Sequence, residues 1–286
     1  MDLIDIVVPS AGRPAELLRL LHALGCCADP AAAGVASITV SDDRPSAALA
    51  ARLDADFPAV GYVPGPARGP AANRNHAAAQ GRAAWLLFVD DDCIPRPGLL
   101  TQYRLAMAAQ PRSEAFQGVV LPVGPRPDAS HHAPTNERGG PLLTGNFAIR
   151  RHLFCSLGRF DERFPYSLED CDFAVRLGRA GITVAFASAA VVSHPWRRAS
   201  LAELQRQLVG HAIMAHKHPA FVGDWTLLNL LRKLRGRLRH YGGSSQAAVP
   251  PRYWGLAALD FVMPLAAHAT VRLGPLRRAI AKRHSR

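Results

Sequence analysis

Along the first third of the chain, short continuous apolar runs alternate with stretches in which leucine or alanine recurs every three or four residues. Leu3 to Val8 is the first such run. It gives way to the turn Gly12-Arg13-Pro14 and then to Leu17, Leu20, Leu21 and Leu24 at helical spacing, stopping at Gly25. A strand buried on both faces needs an uninterrupted apolar run, and the amphipathic helices beside it supply the cover. The same alternation predicts a strand over Ala36 to Ser41, a short helix from Ser46 to Leu53, a strand at Val60 to Val63, a helix over Gly69 to Gln80 and a strand at Ala84 to Val89. These elements make a parallel sheet with helices on both faces, an α/β fold. Beyond residue 90 the pattern predicts a helix at Leu99 to Ala109, a strand at Phe116 to Leu121, strands at Gly145 to Arg150 and Ile182 to Val192, and a helix at Glu169 to Arg179. The Pro- and Gly-rich stretch Pro122 to Pro141 exceeds an ordinary connection and reads as an active-site flap or a mobile segment. From Leu201 onward the reading is helical, and there is no internal repeat.

Composition narrows this picture modestly. With 286 residues, 49% hydrophobic and 20% charged, the chain can bury a large core, which excludes a disordered protein. A formal charge of +12, concentrated toward the C-terminus, draws phosphates of any kind. Leu227, Leu228, Leu231, Leu234 and Leu238 alternate with Arg232, Lys233, Arg235, Arg237 and Arg239, a basic amphipathic helix that either lies on anionic lipid or packs on the domain. Aromatic residues are not interleaved with these arginines, so no nucleic acid is expected. Tyr253 to Val271 is interrupted by Asp260, Pro264 and His268 and reads as an interfacial or packed helix before a span. The first residues lack the basic region of a secretion signal, and Cys26, Cys27, Cys93, Cys155 and Cys171 lack disulfide or zinc spacing. The expected location is the cytoplasm, on the cytosolic face of the membrane if the basic helix binds lipid.

Candidate chemistry gathers where strands end. Trp85 to Val89 runs directly into Asp90-Asp91-Asp92, three adjacent carboxylates that repel one another unless donors, water or a cation compensate them. A divalent metal carrying a diphosphate would do so; a solvated acidic turn, or a cap for the next helix, is the plainer alternative. Asp42-Asp43 ends a second strand, so two strands deliver acids to one edge of a parallel sheet, where such folds bind ligands. Arg74, between Asn73 and Asn75, could reach a phosphate or base, or stand solvated. Ser167 and Asp170 have capping-box spacing.

Taken in order, Val7-Val8-Pro9-Ser10, Val40 to Ser46, Gly69 to Asn75, Phe88 to Asp92, Thr144-Gly145-Asn146-Phe147, Phe160-Asp161-Glu162 and Glu169-Asp170-Cys171-Asp172 resemble the motifs of the family 2 glycosyltransferases over about residues 1 to 215. The resemblance implies a GT-A fold, with a nucleotide-binding half at 1–95, an acceptor half at 96–215 and a basic helical extension at 216–286. It implies that Pro9, Ser10, Asp43 and Arg74 lie on the nucleotide, with Asp43 at the base. Asp90-Asp91-Asp92 would be the DXD motif, Asp92 ligating Mg²⁺ or Mn²⁺ and Asp90 binding ribose or a metal-bound water from the same strand face if the strand persists. Gly145 and Asn146 would line the donor-acceptor junction, Asp170 would be the base and His194 a further metal ligand. The implied activity is inverting transfer of one sugar from a nucleotide-sugar, UDP-sugar favoured, to an acceptor hydroxyl, lipid-linked if the C-terminal helices bind membrane, in cell-surface polysaccharide or glycolipid synthesis. No Gln-x-x-Arg-Trp motif of processive synthases follows, since the region reads Arg206-Gln207-Leu208-Val209-Gly210-His211, and Arg44-Pro45 replaces a frequent glycine before Ser46. A nucleotidyltransferase and a non-catalytic basic membrane- or nucleic-acid-binding module are the competing classes.

Overall fold

In the computed structural model, residues 2–25, 34–128, 131–198 and 200–219, with Arg232 and Arg235, are described. β1 (Ile4–Ser10) is buried at every position, and α1 (Pro14–Leu24) lays Leu17, Leu20, Leu21 and Leu24 into the core. β2 (Val35–Asp42) leads to α2 (Ala47–Asp56), whose start is set by the Ser46 hydroxyl accepting the Leu49 N–H at 3.2 Å. β3 (Val60–Pro64), α3 (Pro70–Ala78) and β4 (Trp85–Phe88) complete a parallel set in the order β3-β2-β1-β4. The alternation predicted for the first 90 residues is therefore present, and the carboxyl ends of these strands share one edge.

The second half turns the sheet mixed. β5 (Ile94–Pro95), α4 (Leu99–Ala109), β6 (Ala115–Pro122), β7 (His131–His132), a 3₁₀ turn (Thr144–Asn146), β8 (Phe147–Arg150), α5 (Arg151–Ser156), α6 (Glu169–Arg179), β9 (Ala185–His194), β10 (Arg197–Arg198) and α7 (Leu201–Lys217) follow. The eight-stranded order is β3-β2-β1-β4-β8-β6-β9-β5, with β8 antiparallel to β4 and β6, β6 parallel to β9, and β5 antiparallel to β9. β5 and α5 are too short to carry a periodic signal, and the predicted strand at Gly145 begins instead at Phe147.

Between Gly118 and Val119 the β6–β9 register slips, and Gly118 lies where an added Cβ would collide with the Asn146 amide. Asn146, fully buried, donates through Nδ2 to the carbonyls of Val119 and Ala190, each at 2.9 Å, and accepts from the Tyr103 hydroxyl at 2.8 Å. The amide thus satisfies carbonyls at the irregular point of the ladder, where an unpaired buried group would be costly.

Two compact units emerge: one of residues 1–123, 133–162 and 169–195, the other of 124–132, 163–168 and 196–286. The Pro-rich stretch is accordingly not one loop. Its first part contributes β7, paired antiparallel with β10 in the second unit, and its later part reaches β6 in the first, where Asn136 bridges Val120. In the second unit Ser200 caps α7 by accepting the Glu203 N–H at 3.2 Å, and Tyr166 and His132 meet the Glu203 carboxylate. Residue 215, the expected domain limit, falls inside α7. Apart from Arg232 and Arg235, the basic leucine-rich helix and Tyr253 to Val271 lie outside the described residues. Among the described residues no helix is long and apolar enough to cross a membrane.

Beneath β4, Phe88, Phe154, Phe160 and Phe173 form an aromatic cluster, with the Phe160 ring 5.2, 5.1 and 5.1 Å from the rings of Phe88, Phe154 and Phe173. Edge-to-face and tilted contacts of this kind add to the burial itself. Phe160→Ala should cost about 3–5 kcal/mol of unfolding free energy, measured by urea titration, because the surrounding rings and strand cannot collapse into the space.

Candidate active site

The site forms where β1, β2 and β4 end. Asp42, the last residue of β2, is fully buried and accepts from the backbone of Gly12 (2.8 Å) and Arg44 (2.9 Å) and from the Tyr62 hydroxyl (2.9 Å). It fastens the loop between β1 and α1, and burial, reinforced by the hydrogen bond to Asp42, pushes the Tyr62 hydroxyl up to about 12. Asp43 accepts from Ala67 N–H at 2.9 Å and Gly69 N–H at 3.2 Å, stabilising a β3–α3 loop in which Ala67 has φ +54°. Each of its oxygens retains a lone pair for a further donor, such as a base. Pro9 and Ser10 are buried beneath this edge, and the Ser10 carbonyl accepts from Asn73 Nδ2 at 2.8 Å, which ties α3 to β1.

The strand does not persist through the three acids. β4 ends at Phe88, and the Cys93 N–H returns to the Asp90 carbonyl at 3.0 Å, so the chain turns, sending Asp90 to Arg74 while Asp91 and Asp92 meet Arg13. Asp90 and Asp92 consequently do not share a strand face. Asp90 accepts from Arg74 Nη2 at 2.6 Å. Asp91, with no exposed side-chain surface, accepts from Arg13 Nε at 3.0 Å, and its other oxygen makes a 2.5 Å ion contact with Arg13 Nη2. Burial pushes the Asp91 carboxyl up to about 7 against the opposing pull of Arg13. Asp92 accepts from Arg13 Nη1 at 3.1 Å through Oδ2, while its Oδ1 faces His194 Nε2 at 3.4 Å.

His194, at the end of β9, lies with Nδ1 2.7 Å from the Pro195 carbonyl oxygen, which can only accept; the ring proton therefore sits on Nδ1. With Nδ1 engaged by the carbonyl, the ring turns Nε2 toward an Asp92 carboxylate oxygen 3.4 Å away, an arrangement that a cation placed between the two would satisfy. An imidazole held by a carbonyl, opposite a carboxylate, is a chemically apt pair for a divalent ion that completes its shell with phosphate and water. Among the described residues no group of three or more His, Cys, Asp or Glu side chains is arranged for a metal.

Arg74 is not a solvated helical arginine. Its guanidinium is buried, with Nη1 2.6 Å from Glu169 Oε1 and Nη2 2.6 Å from Asp90 Oδ1, while its Nε lacks a hydrogen-bond partner among the described residues. It bridges the turn after β4 to the first turn of α6. Asp170, next in that turn, accepts from the Cys171 N–H at 2.7 Å, and burial, reinforced by the nearby Asp90, raises its carboxyl above the ordinary range. Burial likewise pushes Glu169 up to about 7. An added Cβ at Gly145 would lie 3.3 Å from Asp90 Oδ2, so its backbone backs directly onto the acid, whereas the Asn146 side chain is enclosed in the β6–β9 scaffold.

The structure thus brings Asp90, Asp91, Asp92, Arg74, Gly145, Asp170 and His194 into one neighbourhood of the first unit, with Pro9, Ser10 and Asp43 along its β1–β2 side. Two participants escape sequence reading. Arg13 belongs to a turn that looks like punctuation, its one signal being a position directly after the first strand; Glu169 is overshadowed by Asp170.

A family model described as "Glycosyltransferase like family 2" matches residues 2–209. An uncharacterized glycosyltransferase of Haemophilus influenzae is 25% identical over 190 residues, 61% of this chain and 62% of that protein, so the chain spans less than two thirds of this curated relative. Three solved structures share the fold: GalNAc-T7 with UDP, GalNAc and Mn²⁺ (14% identity, TM-score 0.58, 94% of this chain and 57% of that one); the mannosyltransferase PcManGT of Pyrobaculum calidifontis with GDP-Man and Mn²⁺ (14%, 0.53, 99% and 80%); and S. aureus TarS 1-349 with UDP-GlcNAc (15%, 0.55, 95% and 92%). The architecture is the GT-A fold.

The buried Glu169 makes a pH prediction. A carboxyl whose folded pKa is raised binds its proton more readily in the folded state, so its favourable contribution is full below the unfolded value and is lost as pH rises through about 7. Relative to Glu169→Gln, the parent protein should lose thermal stability between about pH 4.5 and 7, the interval from the ordinary glutamate value upward. Parallel melting curves for the two proteins across that range would contradict it.

Proposed function

The chain belongs to glycosyltransferase family 2, and from that premise we propose that it is a metal-dependent inverting enzyme that moves one sugar from a nucleotide-sugar to an acceptor hydroxyl. The observation that carries the reading is the meeting of Asp92 and His194, oriented as a ligand pair, in the neighbourhood of a half-buried Asp170. A UDP-sugar is the favoured donor, because GalNAc-T7 and TarS, which share the fold, were solved with UDP or UDP-GlcNAc. In this proposal Asp43 would receive the donor base, and Asp90 would bind the ribose or a metal-bound water. Asp92 and His194 would hold Mg²⁺ or Mn²⁺. That ion would neutralise the charge that grows on the departing diphosphate, so that no acid is needed there.

Asp170 supplies the base. Its raised carboxyl, once ionised, accepts the proton of the acceptor hydroxyl as the oxygen bonds to the anomeric carbon. The bond to the diphosphate breaks on the opposite face, its electron pair leaves with the nucleotide, and configuration inverts. Glu169 and Arg74 hold the turn bearing Asp170 against Asp90, which limits the base to one position relative to the donor side. The Cys171 N–H, donating to Asp170, steadies the ionised form. The acceptor in this proposal is a saccharide or glycolipid hydroxyl at the cytosolic membrane face, which rests on the basic leucine-rich sequence from Leu227 to Leu238.

A panel of sugar nucleotides with Mn²⁺, read by release of nucleoside diphosphate, tests the proposal. Asp92→Asn should lose metal-dependent donor binding, and Asp170→Asn should bind donor while transfer falls by about a hundredfold or more, the scale of a lost general base. Full transfer by both variants would refute the assignment.

A further inference from the structure

Arg13 is a cation carried to the acids on a short tether. It stands at the N-cap position of α1 with φ −117° and ψ 64°, makes no side-chain cap bond, and has 36% of its side chain exposed. Its backbone is nevertheless anchored, because Asp42 holds the preceding Gly12 N–H at 2.8 Å. The guanidinium thus reaches the acids from a fixed backbone, with part of its surface open to solvent. Its contacts are unequal. Nε and Nη2 engage both oxygens of the fully buried Asp91, at 3.0 and 2.5 Å, whereas only Nη1, at 3.1 Å, reaches Asp92.

Asp92 is shared. One oxygen accepts from Arg13 and the other faces His194 Nε2 at 3.4 Å. A divalent ion on the Asp92–His194 pair would sit one carboxylate away from the guanidinium, and like charges at that range repel strongly in a site mostly shielded from water. The geometry points to Arg13 as a built-in counter-cation: it neutralises Asp91 and Asp92 while no metal is bound, then yields its bond to Asp92 when a divalent ion arrives and keeps its hold on Asp91. This rests on the metal-dependent reading above. The consequence is a weakened affinity for the bare ion, so that metal accumulates in the site chiefly together with a diphosphate, whose oxygens offset the repulsion. Arg13 acts on the ion through Asp92 and is a positioning residue.

The test uses Mn²⁺ alone, titrated into the full-length, donor-free protein with the free ion followed by electron paramagnetic resonance. Arg13→Gln should bind Mn²⁺ about tenfold more tightly than the parent, the scale of one charge-assisted hydrogen bond. Its melting temperature should also rise more on Mn²⁺ saturation than that of the parent. Unchanged or weaker binding by a folded Arg13→Gln overturns the proposal. Asp92→Asn separates the two failures: if it binds Mn²⁺ as the parent does, the metal reading falls and takes this proposal with it. Should Arg13→Gln not fold, the unmodified protein carries the test through NMR of the Arg13 guanidinium N–H signals, assigned by their absence in Arg13→Lys. Those signals should move on saturation with Mg²⁺, and signals that stay fixed overturn the proposal.

Discussion

Three consecutive carboxylates at the end of a fully buried strand are tenable only if positive charge reaches them, and two arginines do so from different parts of the fold. Arg13 comes from the loop after β1 and takes Asp91 and Asp92; Arg74 comes from α3 and takes Asp90 together with Glu169. Pairs this buried gain little net stability from their formation, since desolvation opposes the attraction, but leaving one acid without its partner is costly. The loop after β1, the helix α3, the turn after β4 and the first turn of α6 are thereby held to one another. A change in any of them is felt by the acids.

The supports of these arginines are as specific as the arginines themselves. Asp42 receives three donors to hold the Gly12–Arg13 backbone and Tyr62 in place. On α3, Asn73 donates to the Ser10 carbonyl, and Asn75 both donates to the Phe160 carbonyl and accepts from the Phe160 N–H, so the helix carrying Arg74 is fixed at each side of it. On the other half of the sheet, Asn146 and Tyr103 complete the irregular β6–β9 ladder, and the same strand β9 delivers His194 to Asp92. Polar side chains here build the backbone that presents the chemistry, which is why several are buried to the last atom. Buried polar networks tolerate no missing member, because each lost bond leaves a desolvated group behind.

Solved neighbours at 14 and 15% identity share this fold, consistent with an architecture specified by the order of apolar runs and turns more than by particular side chains. The alternation of buried strand and amphipathic helix through β4 is legible for that reason, as are α4 and α6, whose stripes are long enough to declare a period. β5 and α5 are not, being two and six residues long and held by neighbours instead of by local preference. Gly145 and Asn146 read as the start of a strand and instead belong to the 3₁₀ turn Thr144–Asn146, because the Asn146 amide is required inside a bulge that only the paired strands create.

The site divides in the same way. Apolar runs ending in Asp42-Asp43 and Asp90-Asp91-Asp92 announce an acidic sheet edge, since hydrophobic burial places those strands and the chain direction places their ends. What each acid faces is another matter: Asp90 and Asp92 part company where the strand stops, Arg74 turns inward to Glu169, Asn146 leaves the site for the scaffold, and Arg13 enters it. The linear order of residues therefore determined which strands form and that negative charge collects at their ends, because both follow from local hydrophobic pattern. Only the tertiary structure decided the partners, because a long side chain finds its counter-charge across tens of residues of sequence, and that choice depends on distances that do not exist until the sheet has closed.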